Sequence, residues 1–185
     1  MAALAAAVDR DQGSRLQQAA SALYQQDGAE IFWEVLRQMH LFCGFPKVVR
    51  TLHALGDQLP SQAGESAGAS DRVQGQTVFE KLYGKDAEAV QQRLIALDPV
   101  LGNWILDHAY GRVLGRSGLS VEERERLAVL ALAASNCWQQ WRSHVRNSLR
   151  LGVPKAILIS DLEAGNWLTA AQKEQARDLL LAEGD

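Results

Sequence analysis

The chain has 185 residues, with 19 Lys+Arg against 22 Asp+Glu and a formal charge of −3, a length that fits one domain or one domain with an elaborated end. That balance offers no basic face to a phosphate backbone, so nucleic acid is excluded as a partner class. Its 27 Ala and 26 Leu outweigh 21 Val, Ile and Thr together, a composition of strong helix formers that predicts an all-α fold, a compact helical bundle.

The Ala-rich start, residues 1–8, lacks a basic leader segment and ends at Asp9-Arg10, so no secretory signal is expected. No run approaches the ~20 apolar residues that cross a bilayer. Two cysteines, Cys43 and Cys137, are too few for a disulfide scaffold, and a cytoplasmic protein away from the membrane is expected. Residues 31–42 read as a helix broken at Gly44-Phe45-Pro46, and 47–55 as a second helix. Residues 1–56 therefore form an N-terminal helical segment. Residues 57–76, rich in Gly, Ser, Ala and Gln, show no apolar period and read as a flexible linker.

The remaining block, 77–185, carries several helix starts. Asp86 can cap a helix over 87–97. Asp98-Pro99 is an N-cap followed by proline at the first helical position, opening a helix to about Leu114. Ser120 to Glu123 and Thr169 to Gln172 are capping boxes. Residues 127–134, LAVLALAA, have no polar face, which places that helix in the middle of a bundle or at an oligomer interface. The next helix sets Trp138, Trp141, Val145 and Leu149 on one stripe. It stops at Gly152-Val153-Pro154.

Among residues that can carry chemistry, Glu125 lies beyond the first helical turn, with Ala128, Val129 and Leu132 beside it. A carboxylate in such surroundings suits acid/base work, although a solvated or Arg-paired glutamate is the commoner outcome of this spacing. Cys137 and His144 share a helix face but stand ~10 Å apart along its axis, too far for a direct pair. Gln140, one turn before His144, can hydrogen-bond it. For Cys137 a small buried apolar role is favoured. His40, Cys43 and His53 fall short of a zinc ligand set. Tyr110 and Trp104 sit mid-helix, where packing is the ordinary role. Walker, dinucleotide-binding and serine-hydrolase motifs are missing, and no cofactor or metal is expected.

Residues 77–159 resemble the carboxymuconolactone decarboxylase superfamily, which includes the alkylhydroperoxidase D proteins. The resemblance is carried by Phe79-x-x-x-Tyr83-Gly84, Asp98-Pro99, His108-Ala-Tyr-Gly-Arg-Val-Leu114, Arg116-x-Gly-Leu-Ser120, Glu123-Arg-Glu125, the Ala-rich run, and Ser143-His144-Val-Arg146. It implies an all-helical trimer or hexamer acting on a small molecule. It also implies that Glu125 matches a catalytic glutamate, Cys137 the first cysteine of a CxxC and His144 the histidine that follows. Gln140 stands at the second cysteine, so a two-thiol redox cycle loses a partner. The decarboxylase branch, without the cysteine pair, fits better. The resemblance thus makes Glu125 and His144 the catalytic candidates, with Cys137 a lesser one, and Gln140 and Tyr110 substrate-binding candidates. A thiol peroxidase using Cys137 with an external thiol, or a non-catalytic binding module, are the alternatives. Finally, residues 30–46 (EIFWEVLRQMHLFCGFP) resemble a corner that the family carries after the Gly152 turn. A permuted helix pair that packs on the core is expected.

Overall fold

The structure, a computed structural model, describes residues 13–61, 72–164 and 167–183. Helices dominate and no strand occurs among the described residues, as the Ala/Leu composition predicts. The chain divides into two compact units. One joins Met1–Ala63 to Glu122–Asp185, and the other is Gly64–Val121.

In the first unit, α1 runs over Gly13–Leu55 and bends out of helical geometry at Gly28 (φ 82°) and Gly44 (φ 80°). Both glycines adopt left-handed φ, where a Cβ is disfavoured. At the second break Pro46 follows at the start of the next arm, where its missing N–H is no loss. The breaks leave arms over 13–27, 29–43 and 45–55. The last two coincide with the helices expected from sequence. The first arm was not expected, although Leu16, Ala19, Ala20 and Leu23 bury at helical spacing.

α5 (Val121–Ala134) buries every residue of its 127–134 run, as its continuous apolar face requires. α6 (Trp138–Arg150) buries Trp141 and Val145 on one stripe, with Trp138 and Leu149 packed partly against the same core. Gly152 (φ 87°) ends it, and its N–H donates to the Leu149 carbonyl. α7 (Lys155–Glu163) is tied to α5 by a two-pronged bond from Arg126 to Asp161, at 2.7 and 2.8 Å. Hydrogen bonding to Asp161 outweighs burial and raises the Arg126 guanidinium above its ordinary pKa. α8 (Ala170–Ala182) starts with the expected capping box, Thr169 and Gln172 satisfying each other's backbone. Gln172 Nε2 also donates to the carbonyls of Ala133 and Ala134, closing the open end of α5.

The second unit contains α2 (Arg72–Tyr83), α3 (Ala87–Leu97) and α4 (Pro99–Trp104), which continues into a π-helix over Ile105–Leu114. α2 begins inside the stretch read as linker. Its start has little apolar periodicity because the contact there is made by glycine. A Cβ on Gly75 would lie 2.6 Å from the Leu106 carbonyl oxygen and 2.8 Å from the Gly111 nitrogen. Gly75→Ala is expected to lower stability by about 1–3 kcal/mol through overpacking, read as a lower midpoint in thermal unfolding. An unchanged midpoint would show that this close approach is not needed.

Asp98 caps α4, accepting from the Leu101 N–H at 2.6 Å. Asp86, expected to cap α3, makes no side-chain capping bond. Trp104, read as a packing residue, is 65% exposed, together with Leu97, Val100 and Leu101.

Candidate functional site

The first unit brings Glu125 and His144 together. Each comes from a different helix, α5 and α6, and Glu125 Oε2 lies 2.8 Å from His144 Nδ1. Glu125 is 1% exposed, and the His144 side chain is 13% exposed. A carboxylate on Nδ1 selects the tautomer in which that nitrogen carries the proton and donates it to the carboxylate. Nε2 then has its lone pair available, and it makes no hydrogen bond among the described residues. Glu125 Oε1 is buried and lacks a hydrogen-bond partner. The arrangement resembles the base–orienter half of a hydrolase triad, in which a carboxylate fixes an imidazole that moves protons.

Around this dyad lies charge that the sequence reading left unassigned. Arg124, adjacent to Glu125, is buried at 1% exposure and donates from Nη2 to Glu34 Oε2 at 2.8 Å. Its Nη1 donates to Gln38 Oε1 at 3.2 Å, and Gln38 Nε2 donates back to the Arg124 carbonyl at 2.7 Å. Glu34 also pairs with Arg37 at 2.7 Å. Two full charges buried this deeply persist because they face each other and have further hydrogen bonds. The Phe42 ring meets the His144 ring edge to face, centroids 5.6 Å apart.

The remaining candidates fall elsewhere. Gln140 is exposed and does not bond His144, whose ring nitrogen Nδ1 is taken by Glu125. Cys137 is exposed, not buried as its residue type suggests, because the chain leaves α5 through Asn136 in a left-handed conformation (φ 56°). Cys43 and Cys137 are not joined by a disulfide. Tyr110 belongs to the second unit, where it is buried against Phe79 and its hydroxyl lies 3.1 Å from that of Tyr83. Glu34, Gln38 and Phe42 escaped the sequence reading altogether. The only available signal was their i, i+4, i+8 spacing, with two polar residues on an otherwise apolar helix face.

These features define an all-helical protein with a buried carboxylate–imidazole dyad set between two consecutive helices. Residues 99–174 match the carboxymuconolactone decarboxylase family, bearing out the resemblance read from the sequence. The segment holds Tyr110, Glu125, Cys137, Gln140 and His144 and excludes α1. Among curated proteins, the chain is similar to Peroxisomal protein 2 of Schizosaccharomyces pombe, 29% identical over 134 residues, which cover 69% of this chain. The match spans 63% of the length of that relative. Among the described residues no helix is long and apolar enough to cross a membrane.

Proposed function

We propose that the protein performs acid/base chemistry on a small carboxylated or lactone compound, in the manner of a carboxymuconolactone decarboxylase. The 2.8 Å contact between Glu125 Oε2 and His144 Nδ1 carries the reading. Loss of CO2 from a carboxylate leaves an electron pair on carbon that must take up a proton. An imidazole held by a carboxylate can take up a proton on its Nε2 lone pair from the substrate or from water, and deliver it from Nε2 to that carbon. Glu125 then holds and electrostatically supports the ring, and His144 is the proton-transfer group. The partly open His144 side chain and the enclosed Glu125 favour this division of roles over the reverse.

The test is turnover of a panel of unsaturated γ-lactone carboxylates, followed by CO2 release. His144→Ala and Glu125→Gln are each expected to lower kcat about 10²–10⁴-fold while the far-ultraviolet helical signal is retained. Full activity in both variants would remove the site assignment.

A second reading rests on the exposure of Cys137. In it the thiolate attacks a hydroperoxide, giving the alcohol and a sulfenic acid, and two equivalents of an external thiol restore the cysteine with release of water. Thiol-dependent peroxide consumption abolished by Cys137→Ser, with no lactone turnover, would establish this reading in place of the first.

The exposed Leu97, Val100, Leu101 and Trp104 support the further proposal of a homo-oligomer, a trimer or hexamer, since large apolar side chains left open this close together in the chain fit a protein contact. Light scattering at micromolar concentration is expected to give a multiple of the 20.3 kDa chain mass. A monomer mass would remove the proposal.

A further inference from the structure

The proposed dyad is held by unusually few hydrogen bonds of its own. Among the described residues, Glu125 and His144 have one side-chain hydrogen bond each, and it is the one they share. A carboxylate and an imidazole joined only to each other can swing together, so their orientation has to come from packing and from the backbone beneath them. The residues that touch those points come from the middle arm of α1, over 29–43, which lies outside the family segment 99–174.

We infer that the stripe Glu34, Gln38, Phe42 on α1 is a built-in positioning strap for the Glu125–His144 dyad, an inference that rests on the dyad reading above. The three residues are spaced i, i+4, i+8 and so lie one above the other on a single helix face. In that order they meet the Arg124 guanidinium, the Arg124 guanidinium and carbonyl, and the His144 ring. Gln38 acts through the backbone. The Arg124 carbonyl that it binds belongs to the same planar peptide as the Glu125 N–H, so the 2.7 Å bond fixes the plane from which the Glu125 side chain departs. Phe42 acts through the ring, since its edge-to-face contact restricts rotation of the imidazole about the one bond that holds it. Glu34 anchors the strap through its pair with Arg124. None of the three is a catalytic residue. Each works by holding another.

The experiment reads the His144 Nδ1 proton by nuclear magnetic resonance in the full-length protein, with its solvent-exchange rate as the observable. The signal is identified by its loss in His144→Gln. Phe42→Ala and Gln38→Leu are expected to speed its exchange roughly tenfold or more, because the ring opens away from the carboxylate more often. Phe42→Tyr, which keeps the ring, should stay within about threefold of the parent rate. Leu36→Ala is the packing control, a core residue on the same arm but off the stripe. It should lower the melting temperature yet leave the exchange rate within about threefold. If Phe42→Ala fails to fold, Phe42→Leu is read in its place.

A parent-like rate in the Phe42 variant, or an equal acceleration in Leu36→Ala, overturns the strap while leaving the dyad in place. A parent protein with no such proton signal overturns the dyad itself, and the strap with it.

Discussion

A chain lacking residues 1–57 should lose its cooperative unfolding transition. The deletion removes all three arms of α1 and with them Leu16, Leu23, Phe32, Val35, Leu36, Met39 and Leu55, each at most 2% exposed in the folded unit. Burying one such side chain stabilises by about 1.5–3 kcal/mol, and a whole domain has only about 5–15 kcal/mol in hand. The loss therefore exceeds what the remaining helices can absorb. Arg124 would also lose Glu34 and Gln38, the α1 side chains that its guanidinium meets in the folded unit. The expected result is a broad, low-enthalpy melt with helical signal partly retained and dye-binding apolar surface exposed, the mark of lost packing. A sharp transition at the full-length temperature would make α1 an accessory, and the proposed permutation of the helix pair would fail with it.

Local chemistry made most of the helices legible. Gly44-Phe45-Pro46 marks a break because one residue favours left-handed φ and another cannot continue a helix interior. Thr169 and Gln172 marked a start because the side chains that cap it are three residues apart. The arm over 13–27 was harder, since Gly28 sits between two helices with no proline or cap to announce the change. The π-helix over Ile105–Leu114 has no spacing signal that separates it from the α-helix it continues.

The site was legible in part for a similar reason. Glu125 and His144 were reached through motif resemblance, but their contact joins residues 19 apart on separate helices. Local spacing offered Gln140, one turn from His144, as the nearer hydrogen-bond partner, and tertiary packing chose Glu125. Cys137 was misjudged because its burial depends on the turn through Asn136, not on residue type. Glu34 and Arg124, 90 residues apart, cannot be paired from one sequence by any periodicity.

Removing one partner of the Glu34–Arg124 pair should cost far more than removing both. Glu34→Ala leaves the buried guanidinium without its anion, a type of change that costs about 3–5 kcal/mol. Glu34→Gln keeps the shape and a hydrogen-bond acceptor but removes the charge, so its cost should be smaller than that of alanine. The double substitution Glu34→Met with Arg124→Met replaces two desolvated charges by apolar side chains. In a pocket where both groups are at most 2% exposed, the desolvation that the native pair had to overcome disappears with the charges, and the double variant should recover most of the loss. Arg37, which shares Glu34 at 2.7 Å, is one-third exposed and can turn to water when its partner goes, so it should not dominate the cycle. Urea unfolding of the parent, Glu34→Met, Arg124→Met and the double variant gives the coupling directly. A coupling energy near zero would mean that the pair is not a clamp, and that α1 is held to α5 by apolar packing and the Gln38 bond to the Arg124 carbonyl. Strong coupling with the parent exchange rate at the His144 Nδ1 proton would place the ion pair in stability and leave Gln38 and Phe42 to hold the dyad.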